Sequence, residues 1–199
     1  SADKLIEKAL AGQDALYAAD PAVVDGSATQ VAADRVTIAI SNSRGLDLSY
    51  ENSVSVAVSV AVVSDGKEMN DSYEFKGGSA DEIDIAALAR KAVANAKAKL
   101  GADVAPTGAY PVVFSPLAFA DLLAAYSTVF SSESARKDLS RFKDSEGSKV
   151  AADCVTIVDD PFYKDALMPV GFDAEGSPAY KKNVVENGVL NTLLYNLKS

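Results

Sequence analysis

The chain has 199 residues, with 28 acidic and 19 basic side chains, so its formal net charge at pH 7 is −9. This charge disfavours nucleic acid or an anionic membrane surface as a direct partner. The chain also has no apolar tract of the roughly 18 residues that a membrane-spanning helix needs. It contains no histidine and a single cysteine, Cys154, which removes the commonest metal ligand and general base.

The N-terminal segment is amphipathic rather than signal-like, and one cysteine forms no internal disulfide, so we expect a cytoplasmic protein. The hydrophobic fraction of 48% is that of an ordinary folded protein. The chemistry left to such a chain is that of carboxylates, lysines, tyrosines and hydroxyls.

The first half of the chain predicts an antiparallel sheet packed by helices. Valines alternate with serine and alanine over Ser53–Val62, which is typical of a strand, and the small residues indicate that a helix packs closely over that face. Shorter runs at Arg35–Ile40 and Asp71–Lys76 are predicted as further strands, the second as a hairpin partner. Apolar residues at helical spacing predict helices over residues 3–19 and 80–100.

The helix over 80–100 has recognisable end signals. Ser79 with Glu82 predicts a capping box at its start, and Gly101 predicts a C-terminal cap. The linker at residues 102–109, rich in alanine, proline and glycine, is the best domain boundary. We therefore divide the chain into residues 1–103 and 104–199.

The second half predicts a strand and a helix followed by β-hairpins. The predicted elements are a strand over 110–114, a buried helix over 116–130, a strand over 154–158 with Cys154 in the core, and a hairpin over 177–197. Ser115 and Pro116 mark the start of the helix. Residues 131–149 are polar and are predicted as an exposed helix or a mobile loop. The apparent strand Val189–Leu197 has no partner after it, as in a truncated domain, and the predicted fold class is α+β.

The residues alone identify no self-contained active site. Asp153, Asp159 and Asp160 carry oxygen ligands suited to a divalent cation, but adjacent acidic residues before a proline are more often a solvated turn. Serines 131, 132 and 134 near Lys137 could form a Ser–Lys pair, yet no oxyanion motif accompanies them.

Three segments nevertheless resemble one family. They are PTGAYPVVFSPLAFADLL at 106–123, DCVTIVDDP at 153–161 and GFDAEGSPAYKKNVVENGVLNTLLYN at 171–196. They resemble the TldD/PmbA family, described as modulators of DNA gyrase and as zinc metalloproteases. The resemblance implies that residues 1–103 are the C-terminal part of an N-terminal α/β domain. It likewise implies that residues 104–199 begin a C-terminal β-rich domain.

The resemblance also locates the family's zinc motif. Catalytic TldD-type members carry His-Glu-x-x-x-His in the helix after the Tyr-Pro-Val strand, where two histidines hold zinc and the glutamate activates water. Matching the Leu122-Leu123 pair puts the ligand positions at Ala124 and Val129 and the base position at Ala125. None of these side chains ligates zinc or moves a proton. The resemblance therefore implies a PmbA (TldE) type chain with no catalytic residue, metal or cofactor of its own, and with zinc in a partner.

The implied function is that of a non-catalytic subunit beside a TldD-type protease subunit, acting on unfolded or extended peptides. The open final strand suggests that such a peptide could be held by strand addition. One alternative is a binding protein that acts on DNA gyrase or a toxin–antitoxin system without proteolysis. Another is a self-sufficient enzyme that uses the acidic cluster at 153–160 with a bound metal.

Overall fold

The structure is a computed structural model that describes residues 2–79 and 81–198. The chain divides into two compact units. The first runs to Pro106 and includes Lys164–Pro169, and the second comprises Thr107–Tyr163 and the chain from Val170 onward. Each contains helices and one antiparallel three-stranded sheet, so the predicted α+β class is confirmed. No helix among the described residues is long and apolar enough to cross a bilayer.

The first unit is a three-stranded antiparallel sheet with two helices. Its elements are α1 (Ala2–Ala19), β1 (Ala28–Ser41), β2 (Asp47–Ser64), β3 (Met69–Gly77) and α2 (Ile85–Lys97). The strands lie in the order β1-β2-β3. β1 is longer than the predicted strand because it pairs with β2 without interruption, from Ala28 opposite Val60 to Ser41 opposite Asp47. Cross-strand pairing thus extends it over polar residues that carry no strand signal of their own.

The core of the first unit lies on the small-residue face of β2. Ala57, Ser59 and Ala61 are at most 1% exposed, and β2 contacts both helices. This confirms the expectation that a helix packs over that face. The valines of the opposite face are only half-buried.

The start of α2 differs from the prediction. The structure begins the helix at Ile85, and the Asp84 carboxylate accepts a hydrogen bond of 2.9 Å from the backbone N–H of Ala87. Residue 80, the predicted first residue, lies outside the described residues. The capping box at Ser79 is wrong because Asp84 supplies a cap nearer the buried residues. Gly101, with φ +71°, ends the turn that follows the helix.

The second unit has short helices and a small sheet. Its elements are α3 (Pro116–Tyr126), a 3₁₀ helix (Ser127–Phe130), α4 (Ser132–Arg136), β4 (Ile157–Asp159), β5 (Lys182–Glu186) and β6 (Val189–Leu190). The strands lie in the order β4-β5-β6. The predicted hairpin is confirmed, with shorter strands than expected, and its turn is at Asn187-Gly188.

The segment from 110 to 126 contradicts two predictions. Residues 110–114 form no strand, and no strand of the described residues pairs with them. The prediction that the helix is buried is wrong for α3, which has no buried residue. Phe119 is 50% exposed and Tyr126 is 64% exposed. Within this segment Leu123 packs, partly buried, against the core of the unit, and Phe130 of the following 3₁₀ helix is buried in that core.

Two further expectations for the second unit are wrong, and a third holds only in part. Cys154 is exposed, because the strand begins only at Ile157 and a turn precedes it. The polar stretch 131–149 is only partly exposed, since α4 and the following turns bury side chains such as Ser132 and Ser140. The final strand is not open, because the outer edge of β6 is already bonded by residues 147–149.

Candidate functional site

The three positions of the predicted motif lie where α3 ends. Ala124 and Ala125 are in its last turn and are exposed, whereas Val129 is in the 3₁₀ helix and packs, half-buried, against the core of the second unit. Methyl and isopropyl groups carry no atom that binds zinc or a proton.

The acidic residues at 153–160 do not converge on a common point. Asp159 pairs with Lys182 at 2.7 Å and Asp160 with Lys181 at 3.0 Å. The hydrogen bond from Lys181 is the largest cause that holds the pKa of Asp160 below its ordinary value of 3.8. Asp153 pairs with a lysine four residues before it. Each carboxylate thus has a lysine partner in place of a cation.

No group of three or more histidine, cysteine, aspartate and glutamate residues among those described could hold a metal ion. The Ser–Lys alternative also finds no geometric support. Lys137 pairs with Glu133 at 2.7 Å, and the Ser132 hydroxyl donates to the carbonyl of Leu194 at 2.8 Å. Ser131 caps α4 by accepting from the N–H of Ser134.

We call residues 171–196, the third of the segments that resemble the family, the family signature. Its residues 172–176, with the sequence FDAEG, build a tight loop. The Asp173 carboxylate accepts hydrogen bonds from the N–H groups of Glu175 at 2.8 Å and Ser177 at 2.9 Å. Gly176 has φ +82°, a left-handed conformation that glycine adopts without strain. Asp173 therefore folds the chain back on itself, as aspartate does in an Asx turn.

The basic pair and the hairpin of the signature are likewise structural. Lys182 lies over the ring of Tyr180, 4.4 Å from its centroid, as well as beside Asp159. Asn187 and Gly188 have φ +49° and +81°, the left-handed pair that a two-residue hairpin turn requires.

A cavity of about 520 Å³ opens beside these elements in the second unit. Its walls come from the loop around Asp173 and from the chain after β6. Its lining includes Asp159, Tyr180, Lys182, Leu194 and Tyr195. The volume lies in the range of ligand-binding clefts. The lining combines apolar surface with the Lys182–Asp159 ion pair.

Glu146 hydrogen-bonds two residues of the cavity wall, Leu193 and Tyr195, a role that the sequence did not predict. Its carboxylate accepts from the backbone N–H of Leu193 at 2.7 Å and from the Tyr195 hydroxyl at 3.0 Å. The hydrogen bond from the Tyr195 hydroxyl to Glu146, with a smaller contribution from burial, raises the pKa of Tyr195 above its ordinary value of 10.0. Nothing in the sequence indicates the pairing, because the residues it joins are 47 and 49 positions apart.

Comparison with known proteins assigns both halves of the chain. Residues 1–100 match the model of the PmbA/TldA metallopeptidase central domain, and residues 107–199 match that of the PmbA/TldA metallopeptidase C-terminal domain. A metalloprotease of Methanothermobacter thermautotrophicus is 33% identical over 144 residues, which are 67% of this chain and 31% of that protein. A TldD homolog of Buchnera aphidicola, described as a metalloprotease, is 28% identical over 183 residues, which are 86% of this chain and 38% of that protein.

Solved structures show the same fold over the whole chain. A Thermotoga maritima protein described as a candidate modulator of a DNA gyrase superposes with a TM-score of 0.91 and 27% identity, covering 100% of this chain and 46% of that one. TldE from Thermococcus kodakarensis superposes with a TM-score of 0.77 and 23% identity, covering 98% of this chain and 45% of that one. The chain thus spans about a third of these two curated relatives and less than half of these solved ones.

Proposed function

Since this chain belongs to the TldD/PmbA family of metallopeptidases, we propose that it is part of the non-catalytic subunit of a cytoplasmic protease complex. In this proposal a TldD-type partner supplies zinc and the general base, and the complex cleaves unfolded or extended peptides. The observation that carries the proposal is the motif position occupied by Ala124, Ala125 and Val129, none of which has a ligating or titratable atom.

The contribution of this chain is to hold substrate, and the cavity of the second unit is suited to that task. Leu194 and Tyr195 offer apolar and aromatic surface beside the Lys182–Asp159 ion pair. Such a lining binds apolar side chains and leaves polar atoms to orient a peptide. The edge of β6 is already hydrogen-bonded, so we assign peptide contact to the cavity wall and not to strand addition there.

The decisive experiment measures metal content and peptidase activity of the complete gene product that contains this chain, alone and mixed with a TldD-type chain of the same organism. We expect no stoichiometric zinc and no activity alone, and cleavage of unfolded peptide after mixing. Zinc and activity in the protein alone would contradict the proposal. Tyr195→Ala and Leu194→Ala, which shorten the cavity wall, should raise KM for the peptide more than they lower kcat.

A second candidate is a protein that binds DNA gyrase without proteolysis. The name of the Thermotoga maritima protein with the similar structure favours it. A net charge of −9 is compatible with a basic protein surface as the partner. A stable complex with gyrase in the absence of any TldD-type chain would favour this candidate over the first.

A further inference from the structure

The chain after β6 forms one wall of the larger cavity, and hydrogen bonds fix the backbone of this wall. We call residues 193–197 the wall segment, because all five line the cavity of about 520 Å³. Three backbone N–H groups of the wall segment donate to acceptors outside it, namely Leu193 to the Glu146 carboxylate at 2.7 Å, Leu194 to the carbonyl of Phe130 at 2.7 Å and Leu197 to the Glu175 carboxylate at 2.8 Å. The remaining freedom of the wall segment therefore lies in its side chains.

Tyr195 lies in the middle of the wall segment, and Glu146 holds its ring. The Tyr195 hydroxyl donates to Oε2 of Glu146 at 3.0 Å, while Oε1 of the same carboxylate accepts from Leu193. A hydrogen bond to a carboxylate is charge-assisted and is stronger than one between neutral groups. Tyr195 is nevertheless 56% exposed, so its ring is fixed in orientation and is still accessible to a ligand.

The Tyr195 ring belongs to the walls of two cavities. Leu193 and Tyr195 line the larger cavity and also a second one of about 290 Å³, whose lining includes the charged residues Arg136 and Lys143. A ring that turned away from Glu146 would change the shape of both cavities. The hydrogen bond to Glu146 therefore determines how much room the larger cavity offers.

A wall that is ordered before the ligand arrives favours binding. A side chain that becomes ordered only on binding weakens the affinity, by about two- to tenfold for one side chain. The Tyr195 ring avoids this loss, because Glu146 already holds it in the unbound protein. Leu194 and Tyr180 line the same cavity, so the ligand group that suits it is an apolar side chain.

The two hydrogen bonds of Glu146 have different roles. Leu193 is 5% exposed and belongs to the core of the second unit, so the hydrogen bond from its N–H supports folding. The hydrogen bond from Tyr195 joins two exposed side chains and holds no buried group in place. A role in folding therefore accounts for the first hydrogen bond but not for the second.

We propose that Glu146 is a positioning residue for the peptide. By accepting the hydrogen bond of the Tyr195 hydroxyl, it fixes the tyrosine ring as a preformed wall for an apolar side chain of the substrate. Tyr195 contacts the peptide, and Glu146 acts through Tyr195. This inference rests on the proposed function, because that function makes the larger cavity the site that holds substrate.

The test uses the complete gene product and removes single hydroxyl groups. Tyr195→Phe keeps the ring and leaves Glu146 bonded to Leu193, whereas Tyr163→Phe makes the same change at a 53% exposed tyrosine outside the lining of both cavities. The probe is a fluorescently labelled unfolded peptide with one phenylalanine, and a second peptide has serine in its place. Fluorescence anisotropy gives Kd for the protein alone, and mixing with the TldD-type chain gives KM and kcat.

We expect Tyr195→Phe to raise Kd and KM for the phenylalanine peptide about two- to tenfold and to leave kcat nearly unchanged. Tyr163→Phe should change none of the three by more than about 1.5-fold, and the serine peptide should respond less to Tyr195→Phe. Glu146→Ala should raise Kd as well, but adding it to Tyr195→Phe should raise Kd no further, because both variants remove one shared interaction. A role in folding alone would instead give additive losses.

Several outcomes would overturn the inference. They are an unchanged Kd for Tyr195→Phe, a further rise when Glu146→Ala is added, and an equal rise for the two peptides. If the wild-type mixture cleaves peptide and Tyr195→Phe leaves KM unchanged, the inference fails and the proposed function stands. If Tyr195→Phe weakens peptide binding but mixing with the TldD-type chain yields no cleavage, the proposed function fails and the inference stands.

Discussion

The turn glycine of the second unit's hairpin provides the sharpest test of its packing. Gly188 has φ +81°, and a Cβ atom there would lie 2.4 Å from the carbonyl oxygen of Ala151 and 2.8 Å from that of Ala152. Gly147 is a matched control, because its φ is +79° and a Cβ atom there would meet nothing within 4 Å. Alanine at either position has the same backbone strain, but only at Gly188 does its Cβ atom clash with the backbone of Ala151 and Ala152.

The expected loss of unfolding free energy in each variant follows from the backbone strain and from the steric clash. A left-handed alanine costs about 1–2 kcal/mol, which is the whole loss for Gly147→Ala. Gly188→Ala must also displace residues 151–152. That shift disturbs the hydrogen bonds from Val150 at 2.8 Å and Ala151 at 3.1 Å to the Gly188 carbonyl. At about 1 kcal/mol for each hydrogen bond, the expected loss for Gly188→Ala is about 3–4 kcal/mol.

The assay must report on the second unit alone, since a chain with two units does not unfold as a single two-state system. Native-state hydrogen exchange of the β5 amides, followed by mass spectrometry, gives the free energy of opening locally. Gly188→Ala should lower it by roughly 2 kcal/mol more than Gly147→Ala does. Equal losses in the two variants would refute the assigned close approach of the two backbone segments.

Leu123→Asp should destabilise the second unit by about 2–4 kcal/mol, because this side chain packs against the core. Leu122→Asp, at a 40% exposed position, should change the melting temperature of the second unit little. Equal effects of the two substitutions would contradict the orientation of α3. Glu74 is 9% exposed and is held by Lys91 at 2.9 Å and an asparagine amide at 2.7 Å. Glu74→Ala should therefore cost about 1.5–3 kcal/mol in denaturant unfolding, and Glu74→Gln, which keeps the amide contact, less; the reverse order would rule out the buried hydrogen bond as the cause. Because Asp160 has a lowered pKa, its contribution to stability is present above the ordinary aspartate pKa of 3.8 and is lost as the pH falls through the folded value; the Asp160→Asn variant should lose less stability on acidification, and parallel pH curves would contradict this.

The features predicted correctly from the sequence are those that depend on residues close together in the chain, such as helix caps and turns. Ser115 caps α3 by accepting from the N–H of Ala118, and Asn187-Gly188 forms the predicted turn. In both cases one or two side chains fix the backbone without help from distant residues. The small face of β2 was also predictable, because side chains of that size indicate close approach of another element.

The errors arose where distant residues decide the outcome. β1 is long because β2 lies beside it, and periodicity within β1 does not encode that length. The stripe of α3 reads as buried, but burial requires an opposing surface that a helical pattern does not specify. The cavity escaped prediction for the same reason, since the contact of Glu146 with Tyr195 joins residues 49 positions apart.

The family signature reports on folding more than on catalysis. Asp173 closes a loop, Lys181 and Lys182 neutralise carboxylates, and Gly188 permits a turn against a neighbouring backbone segment. Each of these roles would be needed equally by a catalytic and a non-catalytic chain, because each stabilises the unit without offering a reacting group. The resemblance therefore establishes the family but does not choose between subunit types. That choice depends on the side chains at the motif position alone, which is why metal content, rather than further likeness in fold, is the measurement that decides the function.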